Sequence, residues 1–368
     1  MSTATRAVKS AETAREAGVE LRTSPHLRNP ITVDYIMRHV VYALVPVATF
    51  AVYNFGISAA ALLAVCVTVA LLTEHLYCRI LKRATTIGDW SVVVTGVLTA
   101  LILPPALPLW MAAVTTFFGV AVGKLFFGGL GFNAMNPALV GRAFAQAAFT
   151  SPMTTWTPAW TADRFTEFIP SSLTLPFLQP RSISDWLDAS APFGFTGATP
   201  LTRMVSEGAG TDTMQLLYGT ISGSTGETSA LFIILGGLYL LIRRFANWRI
   251  PVSILGTVAA LSGAFYLSNP DAYPDPVFML LAGSVMFGAF FLATDPVSSP
   301  ETRGGLWVYG ILIGTLVVII RLFGGLSEGV MYAILLANAA TPLISRLTQP
   351  RVYGTGRRVR RTKEPAHE

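Results

Sequence analysis

Nine polar side chains lie inside or beside long apolar stretches, and they are the residues whose types and positions could do chemistry. They are Lys124, Asn133, Asn136, Arg142, Glu227, Asp295, Arg321, Glu328 and Asn338. A polar group at membrane depth is costly unless a partner or a ligand satisfies it. For Lys124, Arg321 and Glu328 the simpler interpretation is a long side chain near a helix end that reaches toward water.

Asn133, Asn136 and Asp295 lie in two breaks beside Gly and Pro. The first break ends the run Phe126-Phe127-Gly128-Gly129-Leu130-Gly131-Phe132-Asn133-Ala134-Met135-Asn136-Pro137, and the second ends the run Gly288-Ala289-Phe290-Phe291-Leu292-Ala293-Thr294-Asp295-Pro296. Unwound backbone and amide side chains at such breaks can satisfy a planar polar ligand. We predict a ligand site there, and helix capping is the alternative.

A third candidate is the tetrapeptide Thr196-Gly197-Ala198-Thr199, which precedes Pro200. Taken alone, it predicts a turn of a kind that is common by chance. No His-rich cluster, Cys-x-x-Cys, P-loop or Ser-His-Asp set accompanies it. The residues therefore support neither hydrolysis nor nucleotide-driven transport, and we assign no catalytic residue and no metal ligand.

The elements that must position these groups are membrane helices. Of the 368 residues, 52% are hydrophobic and only 12% are charged, which indicates lipid as the solvent. Six stretches without Asp, Glu, Lys or Arg approach or exceed the roughly 20 residues that cross a bilayer. These stretches are 40–73, 92–123, 250–270, 276–294, 304–320 and 329–345. The first two each contain a break, at Asn54-Phe55-Gly56 and at Pro104-Pro105-Ala106-Leu107-Pro108, so each predicts a helix pair.

Basic residues near the helix ends predict the orientation. They gather at 79–83, at 243–249 and in the tail 346–363, and these parts are expected on the cytoplasmic side. About ten helices follow, at 40–55, 57–75, 91–109, 110–128, 134–150, 228–243, 250–268, 276–294, 305–323 and 328–346, with both termini cytoplasmic. The polar segment 1–34, which has no signal-peptide pattern, is then a cytoplasmic arm.

The long segment 151–227 divides the chain and is expected on the outer face. It separates a five-helix half at 35–150 from a second at 228–347, which a basic tail at 348–368 follows. The halves start from opposite sides, which is the arrangement of an inverted repeat. The predicted class is an all-α polytopic membrane protein with one long insertion, and a channel or transporter without a redox cofactor is one functional alternative.

Charge and cysteines exclude some classes and leave others open. The net charge of +6 does not indicate nucleic acid, because the arginines lie at helix ends rather than on one face with aromatic residues. Cys66 and Cys78 are too few for a disulfide framework. They are interpreted as unpaired apolar thiols, with a ligand role shared with another chain as the alternative.

Four stretches together resemble the membrane protein RnfD of the Rnf complex and its homologue NqrB of the sodium-pumping NADH:quinone reductase. They are 127–138, Thr196-Gly197-Ala198-Thr199-Pro200-Leu201, Ser224-Thr225-Gly226-Glu227-Thr228-Ser229-Ala230-Leu231 and 290–298. The similarity runs from about Ser24 to Pro342. The order of the motifs is more specific than any one of them. The short N-terminal arm and the region 224–244 look more like the Rnf protein.

The resemblance implies two flavins. The last Thr of the Ser/Thr-Gly-Ala-Thr motif carries FMN through a phosphoester in this family, and that Thr maps to Thr199, with Thr196, Gly197 and Ala198 as the rest of the site. A dedicated flavin transferase attaches it on the outer face. A noncovalent riboflavin is implied near the two breaks, at Asn133, Asn136 and Asp295. One departure is Phe193, which stands six residues before Thr199 where the transferase motif has Asp.

The implied function is electron transfer coupled to Na⁺ or H⁺ transport between ferredoxin and NAD. The protein is then a multi-pass component of an inner-membrane complex, inactive alone. Its expected partners are the flavin-bearing G component of the Rnf complex, the other membrane subunits and the flavin transferase. Alternatives are the NqrB protein of the sodium-translocating quinone reductase and, since Phe193 departs from the motif, a scaffold without a cofactor of its own.

Overall fold

In the part of the chain that the structure describes, the regular secondary structure is all helical. The structure is a computed structural model that describes residues 31–83, 85–178, 183, 186, 198–207, 210–270, 272–324 and 328–350. Five helices in these ranges are long and apolar enough to cross a membrane, and three shorter apolar helices accompany them. This agrees with the predicted all-α multi-pass class.

The first part of the chain forms six helices. They are α1 (Val33–Phe55), α2 (Ile57–Ile80), α3 (Ser91–Ile102), α4 (Leu109–Val120), α5 (Pro137–Ala148) and the single turn α6 (Thr150–Met153). A 3₁₀ turn at Ile87–Asp89 precedes α3, and a π-helical turn at Ala121–Leu125 extends α4. The first helix begins at Val33, before the predicted 40, because Asp34 and Arg38 pair with each other at its exposed end.

The rest of the chain forms eight helices within the described ranges. They are α7 (Pro200–Glu207), α8 (Thr213–Tyr218), α9 (Ala230–Ile242), α10 (Arg249–Ser268), α11 (Pro276–Leu281), α12 (Val285–Phe287), α13 (Arg303–Phe323) and α14 (Val330–Leu347). A second π-helical turn at Gly288–Leu292 follows α12. The long insertion therefore contributes short helices of its own.

The continuous helix predicted at 276–294 is interrupted. Its chain leaves the helix at Ala282 and reenters at Val285, and Gly283 between them has a φ of +65°, a conformation that side chains with a Cβ rarely adopt. The interruption corresponds to the break between α3 and α4 in the first half. Each discontinuous helix then ends in a π turn that leads into one of the two polar breaks.

Small residues allow the long helices to pack closely. Gly310 and Gly314, one turn apart on α13, face Ser253 and Thr257 of α10. A Cβ on Gly310 would lie 1.7 Å from the Ser253 Oγ, and one on Gly314 would lie 2.7 Å from the Thr257 Cβ. This spacing of small residues is typical of helix pairs in membranes, where close backbone approach replaces the hydrophobic driving force.

Candidate functional site

The two polar breaks meet in the folded chain. The Asn133 side-chain amide donates to a carboxylate oxygen of Asp295 at 3.4 Å, and the Asn136 amide donates to the backbone carbonyl of Leu292 at 3.0 Å. These pairs are 162 and 156 residues apart in the sequence. The structure thus brings together the three residues that the sequence singled out at the breaks.

Helix capping, the alternative for these residues, also occurs. Asn136 is the N-cap of α5, since its side-chain oxygen accepts from the Ala138 amide at 3.0 Å, with Pro137 in the first turn. Asp295 accepts locally from the Ser298 hydroxyl at 2.8 Å. Capping uses one end of the Asn136 amide and leaves the other for the contact across the breaks.

A cavity opens beside this junction, and we name it the break cavity. Its polar lining consists of Ser91, Thr95, Lys124, Asn133, Asn136, Thr294 and Asp295, and Leu98, Leu130 and Phe291 are among its apolar walls. Its volume is about 90 Å³. One water molecule needs roughly 10–15 Å³, so the cavity as it stands holds several waters or one edge of a planar ring.

Lys124 is buried at this cavity and does not reach toward water, so the snorkelling interpretation is wrong for it. Its ammonium lies 2.9 Å from a carboxylate oxygen of Glu74 and donates to the Ser91 hydroxyl at 2.7 Å. The Lys124 and Glu74 side chains are 2% and 1% exposed. Thr86 donates to the other Glu74 oxygen. The burial penalty of the cation is therefore met by a buried anion.

A second buried charge cluster lies near the insertion, and we name it the arginine cluster. Arg142 of α5 lies 2.8 Å from Glu227 and 2.9 Å from Glu328. Arg321 donates to the backbone carbonyls of Met279 at 2.7 Å and Ala282 at 2.8 Å, where α11 ends. The snorkelling interpretation is wrong here too, because Arg321 caps a helix end inside the protein and Glu328 is in an ion pair.

Thr199 stands at the start of α7 in the insertion. Only 2% of it is exposed. Its hydroxyl accepts from the Thr202 amide at 3.3 Å and lies 3.0 Å from the Thr202 hydroxyl, and its carbonyl accepts from the Arg203 amide at 2.9 Å. Thr199 is therefore placed like an N-cap. Thr196, Gly197 and Phe193 lie outside the described residues.

The insertion cavity lies beside Thr199. It has a volume of about 270 Å³ and is lined by Arg142, Gln146, Met153, Thr154, Trp156, Ala198, Thr202, Glu328, Met331 and Tyr332. Ala198 and Thr202, which lie on either side of Thr199 in the sequence, thus line the same cavity as Arg142 and Glu328 of the arginine cluster. Its volume is close to the lower end of the roughly 300–1,000 Å³ of small-molecule sites.

Comparison with known proteins decides the family. One family model matches residues 20–354, nearly the whole chain. The chain belongs to the NQR2, RnfD, RnfE family. The resemblance stated from the four motifs is thereby confirmed.

RnfD-type components of ion-translocating complexes are among the relatives of this family member. The D component of the proton-translocating ferredoxin:NAD(+) oxidoreductase complex of Clostridium ljungdahlii is 38% identical over 92% of this chain and 96% of its own length. Its counterpart in the Na(+)-translocating complex of Acetobacterium woodii is 40% identical over the same shares. The counterpart in the ion-translocating oxidoreductase complex of Halorhodospira halophila is 38% identical, again over the same shares.

Two residues of the buried polar network, Glu74 and Tyr309, are not among the candidates predicted from the sequence. Glu74 follows the charge-free stretch 40–73 directly and resembles a solvated helix end, yet it is buried against Lys124. Tyr309 donates to the Asn338 side-chain oxygen at 2.6 Å, and both residues are buried. Glu74 could have been found from Lys124, because a buried cation requires an anion. No sequence signal marks Tyr309.

Proposed function

We propose that the protein is the membrane electron-transfer subunit of an Rnf-type ion-translocating oxidoreductase. It passes electrons between ferredoxin and NAD together with partner subunits, including the flavin-bearing G component, and couples this to ion movement. The observation that carries the proposal is the meeting of the two polar breaks, at Asn133, Asn136 and Asp295. Full-length similarity to the D components of such complexes supports it.

Covalent FMN on Thr199 is the first part of the proposal. When bound, a flavin ring passes one or two electrons, and the protein supplies its position and electrostatics. Thr199 fits a phosphoester because it begins a helix, where backbone N–H groups and the helix dipole favour an anion. The insertion cavity beside it offers space. Since Thr199 is buried, we expect the flavin transferase to act before the start of α7 docks.

A noncovalent riboflavin at the break cavity is the second part. The amides of Asn133 and Asn136 and the carboxylate of Asp295 supply the kinds of donor and acceptor that pair with the polar edge of a flavin ring, once the contact between Asn133 and Asp295 opens. Lys124 adds a buried positive charge to the wall. The cavity volume of about 90 Å³ admits only part of the ring, so binding requires the apolar walls to move outward.

Topology is the third part of the proposal. The protein lies in the inner membrane with ten membrane segments in two inverted halves. Both termini are cytoplasmic, and segment 151–227 is on the outer face. The positions of the arginines are consistent with this orientation. The paired discontinuous helices support the repeat. The translocated ion is Na⁺ or H⁺. Sequence identity does not distinguish the two, since the relative named for Na⁺ is 40% identical and the relative named for protons is 38% identical.

The test of covalent attachment uses the protein co-expressed with a flavin transferase. The complex is denatured on a gel and viewed under ultraviolet light, because a phosphoester survives denaturation. We expect a fluorescent band, its loss in Thr199→Val, and its retention in the matched control Thr213→Val, because Thr213 is exposed in the same insertion and does not line the insertion cavity. A dark wild-type band, or a band that persists in Thr199→Val, contradicts the assignment. The dark wild-type band would favour a scaffold or a transporter.

The test of the second flavin is extraction with acid and chromatography of the released pigment. We expect native complex to release riboflavin and Asn136→Ala to release less. Asn247→Ala is the matched control, since the Asn247 side chain accepts from the Arg249 amide at the start of α10 and does not line the break cavity. If the native complex releases no riboflavin, the break cavity does not hold one.

A further inference from the structure

The insertion exposes an unusual number of large apolar side chains in segment 158–178, which we name the insertion collar. Six of them are exposed: Trp160, Phe165, Leu173, Leu175, Phe177 and Leu178. Phe177 is 93% exposed, and residues 168–178 contain no charge. Four exposed apolar side chains within the uncharged run 173–178 indicate a binding surface rather than a water-facing one.

The collar is fixed at a definite depth by hydrogen bonds to helix ends. The Trp160 indole donates to the Asn54 side chain at 2.6 Å, and the Ile57 amide donates to the Arg164 carbonyl at 2.9 Å. The Leu109 amide donates to the Ser172 carbonyl at 3.0 Å. These bonds tie the collar to the junction of α1 with α2 and to the start of α4. It therefore runs level with the ends of three helices.

One end of the collar continues the outward face of α4. The ring of Phe177 packs on Trp110, with 5.7 Å between centroids. Trp110, Val114 and Phe117 follow a spacing of four and three residues, which places them on one side of the helix, and the last two are exposed. The outward apolar stripe of α4 thus extends through Trp110 onto Phe177 without a polar gap.

The other end of the collar has the composition of a membrane interface. The Arg164 guanidinium lies 5.3 Å from the Tyr53 ring centroid and 4.8 Å from that of Phe165. Trp160 contacts the same Tyr53 edge to face at 5.8 Å. Trp, Tyr and Arg with an apolar body and a polar tip are enriched at the level of lipid headgroups. Asp163 and Glu167 nearby are exposed, which marks the water-facing edge.

The backbone presents two of these rings at some conformational cost. Trp160 and Phe177 each have a φ of +65°, in the left-handed region that residues with a Cβ seldom occupy. Such strain persists only where the surroundings compensate for it.

We propose that the insertion collar lies in the interfacial layer of the bilayer and that lipid acyl chains cover Leu175 and Phe177. Lipid is favoured over a protein partner because the surface continues the outward stripe of α4.

The test measures the surroundings of single spin labels in the assembled complex in liposomes. Cysteines replace Leu175 or Phe177 in a background where the buried Cys66 and Cys78 are changed to alanine. Collision rates are compared for oxygen, which partitions into lipid, and for a water-soluble nickel chelate. Phe117→Cys on α4 is the lipid reference, and Glu167→Cys in the same segment is the water reference.

We expect the ratio of oxygen to nickel collisions at Leu175→Cys and Phe177→Cys to equal that at Phe117→Cys and to exceed that at Glu167→Cys several-fold. A ratio equal to that at Glu167→Cys means that water covers the collar, and protection from both reagents means that another protein does. Either result overturns the proposal. If Phe177→Cys prevents assembly, Leu175→Cys decides alone.

Discussion

Removal of the Lys124 charge tests whether the buried pair at the break cavity is a true charge pair. Lys124→Met keeps most of the side-chain length but leaves the Glu74 carboxylate, which is 1% exposed, without its cation at 2.9 Å. Breaking a buried pair by removing one partner costs about 3–5 kcal/mol. The remaining donor to Glu74 is the Thr86 hydroxyl, which is neutral and does not offset the burial of a charge.

The assay is thermal unfolding of the purified complex, followed by tryptophan fluorescence. One kcal/mol shifts Tm by roughly 2–4 °C in chains of 150–250 residues and less in longer ones. At about 2 °C per kcal/mol, Lys124→Met is therefore expected to lower Tm by about 6–10 °C. Unfolding of such complexes is often irreversible, so all variants are heated at one scan rate.

Two comparisons make the result specific. The double variant Lys124→Met with Glu74→Leu removes both charges and is expected to recover most of the loss. The pair of Arg38 with Asp34 is the matched control, since it has a similar 2.8 Å geometry but side chains that are 46% and 36% exposed. Arg38→Met is expected to leave Tm almost unchanged, because an exposed ion pair in water adds little to stability. Equal effects of Lys124→Met and Arg38→Met, or no recovery in the double variant, refute the reasoning.

Three further predictions concern other parts of the fold. Arg142→Gln leaves the buried Glu227 carboxylate and the part-buried Glu328 carboxylate without their ion-pair partner and is expected to cost about 3–5 kcal/mol, seen as a lower Tm. Gly56→Ala is expected to prevent assembly, because the new Cβ would lie 1.8 Å from a backbone oxygen of the insertion and Gly56 has a φ of +64°. The control Gly88→Ala places its Cβ within 4 Å of no atom and is expected to assemble normally. Size-exclusion chromatography measures assembly in both. Tyr309→Phe removes the hydroxyl that donates to Asn338 at 2.6 Å and is expected to cost about 1–3 kcal/mol, seen as a lower Tm.

The sequence predicts those features that depend on local composition. The charge-free stretches predict helices because only an apolar segment of that length can face lipid. The break at 104–108 is visible in its three prolines. The break at 282–284 is not, because Ala282-Gly283-Ser284 is compatible with a helix and only the positive φ of Gly283 and the cap from Arg321 show otherwise.

Charge pairing could not be predicted in the same way. Lys124 and Glu74 are 50 residues apart, and Arg142 and Glu328 are 186 apart. A single charged residue near a helix end looks the same in the sequence whether it reaches water or a buried partner. The single ligand site predicted for the two breaks implies that Asn133 lies near Asp295, because one break falls in each half of the inverted repeat. Contacts between residues distant in the sequence can thus be predicted only where an internal repeat shows which segments correspond.

Helix α5 connects the two candidate cavities. Asn136 caps it and lines the break cavity, whereas Arg142 lines the insertion cavity six residues later, about 9 Å along an axis that rises roughly 1.5 Å per residue. Both positions are held by the second half of the chain, through Leu292 and Glu328. Because a packed interior transmits displacement, loss of one of these two contacts is expected to loosen the whole of α5. Asn136→Ala is therefore expected to speed amide hydrogen exchange along all of α5, and Asn247→Ala is not. Faster exchange confined to the first turn would show that the two cavities are independent.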